Sequence, residues 1–424
     1  MNGFAAPVRT AEDRPSSGEA PFHAGEVFYS RTDKHGIILS GNSVFHRVAH
    51  YDRSQLVGAP HKIIRHPDMP KAVFRLLWER IGRGEMIGAY VKNRASDRLF
   101  YWVFAVVAPT PDGYLSARIK PTTDLLRMVE GLYADVLRAE TDEGLSPEES
   151  AAILVERVKS AGFESYNDFM THALSEELLA EASALKARPD PAVANCRTML
   201  ASAKSLKSAT ETLVSQFEAL RIIPHNMRVA ASRLEPSGGP ISMLSRNYGV
   251  MSQELSDWFS RFVLGRDSTF SVVFDHVRQA LLLQSMVGIL HRCDRQLQLE
   301  GRQAGEEALE DDRQILLGLS DRFAERAGSA ISCVSDEAFR ISTACDEMSR
   351  QLLGLSTARV TCKIENARLS DASGGLDDII SQLGLSQRQI GDLLAAIRAR
   401  SAEISGFCRA YQAGRGSNPA PGYR

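Results

Sequence analysis

The densest group of side chains able to do chemistry in this 424-residue sequence is His61-Lys62-Ile63-Ile64-Arg65-His66-Pro67-Asp68-Met69-Pro70. Arg65 offers a planar fork of donors that suits a pyrophosphate or a ring carbonyl. Asp68 could instead close an internal ion pair with Arg65 and order the loop ahead of a helix. Trp78 on that helix and Trp102 on a later β-rich run provide flat surfaces, and Trp102 could simply be core. His46, His50, His61 and His66 lie close together; one could ligate a haem iron, and loop hydrogen bonding is the plainer use. The sequence has no nucleophile elbow, phosphate-binding glycine loop or kinase motif, so it reads as non-enzymatic.

The elements that must position these residues are short. Val27–Ser30 and Gly36–Ser40 flank the turn-forming Asp33–Gly36 and read as a hairpin. Leu99–Ala108 and Tyr114–Lys120 are β-rich runs joined by Pro109-Thr110-Pro111-Asp112-Gly113, a turn signal. Short helical stretches lie between, among them Pro70–Arg80. The order predicts an α+β domain over residues 25–121, a small antiparallel sheet with helices, preceded by a disordered tail over 1–24 that is rich in Ala, Pro, Ser and Gly.

These motifs recur in order with Gly41-Asn42, Tyr51 to Gly58, Val91-Lys92-Asn93-Arg94, Tyr101-Trp102-Val103 and Gly113 to Arg118. Together they resemble the PAS domain of aerotaxis receptors, over about residues 26–121. The resemblance implies an FAD pocket, with Asn42, Arg65, His66, Asp68, Phe74 and Trp78 at the matching positions. Where the family often has Gly-x-Pro-Trp, this chain has Gly84-Glu85-Met86, a thioether in place of a ring.

After Pro121 the strands stop. Residues 122–188 read as connecting helices, with Ser146, Pro147 and Glu149 forming a helix start and Gly162 a break. From Cys196 the apolar positions follow a heptad: Cys196, Met199, Ala203, Leu206, Leu213, Phe217 and Leu220. Similar seams run from Ala338 to Leu355 and from Leu376 to Tyr411, the last with Gln387 and Ser401 in two of its positions. Such seams predict an all-α region of long antiparallel hairpins. The first hairpin covers 189–300 with a tip near 234–240. The second covers 301–412 with a tip near 369–375, and a tail follows over 413–424.

The two tips look alike, each running from Arg-Leu through polar residues to Gly-Gly: Arg233 to Gly238 and Gly239, and Arg368 to Gly374 and Gly375. Glycine pairs provide the positive φ of a helix reversal. The first tip loosely resembles the signalling tip of methyl-accepting chemotaxis proteins, through Asn226, Ala230, Ala231, Arg233, Glu235, Gly238, Gly239, Val250 and Glu254. Pro224, Pro236 and Pro240 are foreign to that family.

Composition bounds the function. A net charge of −2 gives no broad attraction to nucleic acid. No run approaches the length of a membrane span, and no apolar signal-peptide core opens the chain, so a cytoplasmic protein is expected. The 6 cysteines form no CxxC pair and carry no zinc-ligand spacing. The expected function is a PAS-domain redox or oxygen sensor that passes a flavin-dependent signal to a chemoreceptor-like bundle and acts on protein partners of a chemotaxis-type pathway. The alternatives are a scaffold with a ligand-free PAS dimerisation module and a haem-binding gas sensor. The two hairpins are expected to pack as an intramolecular four-helix bundle, with self-association through the PAS domain as a further possibility.

Overall fold

The computed structural model describes residues 14–232, 239–263, 268–304, 308–368 and 376–416. These divide into two compact units: residues up to Ala194 with Leu281–Ala327, and Asn195–Ala280 with Gly328 onward.

The first unit is built on five antiparallel strands: β1 (Phe28–Asp33), β2 (Ile38–Gly41), β3 (Ile87–Arg94), β4 (Phe100–Thr110) and β5 (Gly113–Ile119). Their order in the sheet is β2-β1-β5-β4-β3. The sheet with its helices is the α+β fold that the sequence order predicts. The β4–β5 turn approaches β1 so closely that a Cβ on Gly113 would lie 2.0 Å from the Thr32 carbonyl oxygen, so only glycine fits. Sequence patterning missed β3, whose Gly88 breaks the β signal. That glycine is where the Phe104 ring crosses the strand, 2.9 Å from the place of a Cβ.

Between β2 and β3 lie α1 (Ser43–Ala49), α2 (Arg53–Leu56), a 3₁₀ turn at His61–Ile64 and α3 (Lys71–Gly82). After β5 come α4 (Leu125–Asp142), α5 (Pro147–Ser160) and α6 (Tyr166–Ala184). The α5 start is the capping box that the sequence predicts, with the Glu149 amide donating to Ser146 Oγ at 3.2 Å.

Pairing registers put Phe28, Ser30, Asn93, Tyr101, Ala105, Ser116 and Arg118 on one face of the sheet. Tyr29, Arg31, Tyr90, Trp102 and Phe104 lie on the other. The second face is covered by α4 and α6: Trp102 sits 6.2 Å from the Tyr133 ring and Tyr90 6.5 Å from Phe169. Buried Glu177 fastens this layer, accepting from Tyr90 Oη at 2.8 Å and from the Thr122 amide at 2.6 Å. With both faces covered, β4 is buried along nearly its whole length.

Residues 14–24 depart from the expected loose tail. The Ala20 amide donates to the Phe100 carbonyl at 2.7 Å, and the Phe100 amide to that of Gly18 at 3.0 Å. Phe22 is buried edge-on against Phe28, at 5.0 Å. The segment has no period because a single strap needs only two apolar anchors, Ala20 and Phe22.

Five longer helices follow: α7 (Pro191–Ser232), α8 (Gly239–Val263), α9 (Thr269–Ala304), α10 (Ala308–Arg368) and α11 (Leu376–Gly416). The first hairpin is expected to finish near residue 300, and α9 stays helical to Ala304. Leu281–Ala327 of α9 and α10 belongs to the first unit and shares its core through Leu283, Met286, Leu290, Leu297 and Leu316. Polar contacts reinforce this. Arg31 Nε donates to Asp312 at 2.8 Å, and Arg292 Nη2 to Glu181 at 2.8 Å.

In the second unit the heptad seams are buried as predicted, from Cys196 to Phe217, from Ala338 to Met348 and from Leu376 to Tyr411. The two hairpins of the one chain meet through side chains: Gln387 of α11 donates to Tyr248 Oη of α8 at 3.2 Å and accepts from Arg359 Nε of α10 at 2.9 Å. Met251 of α8 lies against Gly354 of α10.

Candidate functional site

The first sheet face encloses an interior with α1 and the His61–Ile64 turn. Arg118 enters it from β5, only 3% exposed, with its guanidinium 5.3 Å above the Phe45 ring. Its Nη2 donates to Ser30 Oγ at 2.9 Å and lies 2.5 Å from His61 Nε2. His61 stacks in turn on Phe45 at 6.2 Å. No carboxylate pairs with Arg118 among the described residues, and its Nη1 has no hydrogen-bond partner. Burial lowers the Arg118 pKa to about 10. Burial, and then the Arg118 charge, lower that of His61 to about 3, so its imidazole is neutral and accepts.

Two more polar groups on this face stand unpartnered among the described residues. Asn93 Nδ2 and Tyr101 Oη are both buried, and the two residues are cross-strand neighbours on β3 and β4. Burial and the absence of a partner make each of these atoms costly. A donor fork, an amide and a phenol on one sheet face offer the hydrogen bonds that a flat ring system with acceptor atoms at its edge would use, which is the chemistry a flavin presents. The residues present therefore suit the group that the resemblance implies.

The six residues marked by that resemblance fall into separate local groups. Asn42 is buried and uses its whole amide on backbone: Oδ1 accepts from Tyr29 N at 3.0 Å and Phe45 N at 3.2 Å, while Nδ2 donates to the Val27 carbonyl at 2.7 Å. It is the N-cap of α1 and the clasp between α1 and β1. Arg65 stacks over Phe74 at 3.7 Å and donates to the Met69 carbonyl at 3.3 Å; burial lowers its pKa. Its backbone bridges to Asn93, which sets the motif loop beside the interior. His66 Nδ1 accepts from the Asp68 amide at 3.1 Å. Asp68 pairs not with Arg65 but with Lys92, at 2.6 Å, and that hydrogen bond lowers its pKa. Trp78 is 45% exposed at the rim, edge-on to Tyr114 at 5.6 Å. Of the four clustered histidines, His46 faces the Gly41 carbonyl and His50 the Ser96 hydroxyl, each through a ring nitrogen.

Arg118, Asn93, Tyr101 and His61 were not assigned to the site from sequence. The available signal was the alternation Tyr114, Ser116, Arg118 on β5. On a half-buried strand it marks the solvent face, but in a sheet covered on both sides it marks a polar interior.

At the helical tips, Asn226 is exposed near the end of α7, Gly239 opens α8, and Arg368 closes α10 in an ion pair with Glu365 at 2.8 Å. Arg233, Glu235, Gly238, Gly374 and Gly375 lie outside the described residues. Across the second tip Asn366 Nδ2 donates to Asp377 at 2.7 Å, a link between α10 and α11. No helix among the described residues is long and apolar enough to cross a membrane.

No family model matches the chain. The aerotaxis receptor of Escherichia coli (strain K12) is 38% identical to it over 118 residues, 27% of this chain and 23% of that receptor. The chain thus spans about a quarter of the length of the curated relative it matches. The sheet-bearing part of the chain has the small antiparallel sheet and flanking helices of a PAS-type domain and is followed by long helices.

Proposed function

We propose that this PAS-type domain is the sensor of a cytoplasmic redox or oxygen response, that it holds FAD against the Arg118 face of its sheet, and that its helices signal to protein partners of a chemotaxis-type pathway. The observation that carries this reading is the buried polar set of Arg118, Asn93 and Tyr101 in a domain similar to that of an aerotaxis receptor. Arg65, His66, Asp68 and Phe74 would hold the loop beside this interior, Asn42 would fix α1, and Trp78 would close the rim.

Strand β1 would be the route from the interior to the helices. Ser30 faces Arg118 in the interior, while the next residue, Arg31, faces outward to Asp312 of α10. Asn42 ties β1 to α1, and the adjacent Ser43 is bound by Glu300 of α9. A ligand state that shifts β1 or α1 would therefore change contacts with α9 and α10, to the extent that the two states bind the ligand differently. The test is a visible absorbance spectrum after reconstitution with excess FAD and gel filtration. Retention of a flavin spectrum is the expected result, and protein that elutes colourless overturns the flavin reading.

A further inference from the structure

We infer that Arg118 is the group that anchors the ligand by charge: the interior takes a flat ring ligand whose electron-rich edge supplies the counter-charge that the fold withholds from this guanidinium. The inference rests on the flavin reading above and deepens it to a residue that lies in the motifs of the resemblance but not among its pocket positions.

Every other deeply buried charge described in the first unit has its own partners. Glu26 is paired with Arg47, Asp312 with Arg31 and Glu181 with Arg292. Glu140 accepts from the Lys71 amide at 3.0 Å and the Ala72 amide at 3.1 Å, and Glu177 from Tyr90 and Thr122. Arg118 departs from this pattern, since its neighbours are an uncharged imidazole, a hydroxyl and a phenyl ring, with the Tyr101 phenol and the Cys293 thiol of α9 nearby, both kept protonated by burial. A buried cation without an anion costs stability, and replacing one by an apolar side chain of similar volume is often neutral or stabilising. A structural arginine would be expected to have a carboxylate; a ligand-binding arginine keeps a donor free, as Nη1 is here. Asn93 and Tyr101 on the same face hold the other unpartnered atoms, so the three lie on one surface. A negative or polarised oxygen set against Nη1 would meet a charge-assisted donor in a water-poor interior, where such bonds are strongest.

The experiment compares full-length wild type with Arg118→Met and Arg118→Lys, first without ligand and then with FAD. Without ligand, Arg118→Met is expected to melt no lower than wild type. With FAD, it is expected to lose at least about tenfold in affinity by flavin fluorescence, the loss of one charge-assisted hydrogen bond. Arg118→Lys keeps the charge and is expected to lose less. Where flavin remains bound, its reduction potential is expected to fall in Arg118→Met, because a nearby cation favours the more negative, reduced form. Unchanged affinity and potential in Arg118→Met would overturn the inference, as would a ligand-free melting temperature several degrees below wild type, which assigns the residue to folding. Wild type that binds no FAD sinks the flavin reading instead. The ligand-free comparison then judges Arg118 alone: melting at or above wild type supports a binding role, and melting below it refutes one.

Discussion

Ser43 and Glu300, 257 positions apart in the chain, are joined twice: the Ser43 amide donates to the Glu300 carboxylate at 2.9 Å and the Ser43 hydroxyl at 2.6 Å. Glu300 is 8% exposed and also accepts from Gln296, so its carboxylate fastens the C-terminal part of α9 to the first turn of α1. Glu300→Ala is expected to destabilise the protein by about 1–3 kcal/mol, the cost of unpaired buried donors. The urea midpoint measures this. Hydrogen exchange should also show lost protection at the Ser43 amide, and unchanged exchange there would refute the contact.

Asn42 and Trp78 should separate folding from binding. Asn42→Ala strips acceptors from two amides and a donor from one carbonyl inside the core, at about 2–3 kcal/mol. Trp78→Ala removes a half-exposed ring and should cost about 1 kcal/mol or less, while lowering FAD retention after gel filtration. Equal retention in Trp78→Ala and wild type would remove Trp78 from the site.

The His61 imidazole gives a pH dependence of known sign. Its folded pKa is about 3, and that of an unfolded imidazole is about 6.5. As pH falls through this window the unfolded chain takes up the proton first, so stability is full above about pH 6.5 and declines toward pH 3. Arg118 faces the ring and opposes its protonation. Melting temperature measured against pH should therefore fall less steeply between pH 6.5 and 4 in His61→Gln than in wild type. Parallel curves would show that His61 is free to protonate in the folded state.

Tyr248, Gln387 and Arg359 test the packing of the two hairpins. Tyr248→Phe leaves Gln387 Nε2 without its partner and should cost about 1 kcal/mol. Combined with Gln387→Leu, the two losses should fall short of their sum by about 0.5 kcal/mol or more in a double-mutant cycle. Strict additivity would mean that the two side chains do not meet.

Much of this architecture was legible in the chain itself. The heptads from Cys196, Ala338 and Leu376 specified buried helical seams, because a period near 3.5 leaves a long helix only one apolar side to cover. The Ser146 and Glu149 capping box marked the start of α5 to the residue, since both bonds are local in sequence. The ordered motifs around Arg65 and Asp68 located the PAS-type domain. Tertiary structure decided what depends on contacts between distant segments. Asp68 took Lys92 rather than Arg65, because β3 runs beside the loop and places the lysine there. The strap at Phe22 and the Glu300 contact of α9 acquired their roles from the surfaces they cover, which no local period encodes. Arg118 carries the same lesson: alternation along β5 put it on the polar face, and only helices packed against both sides of the sheet made that face an interior.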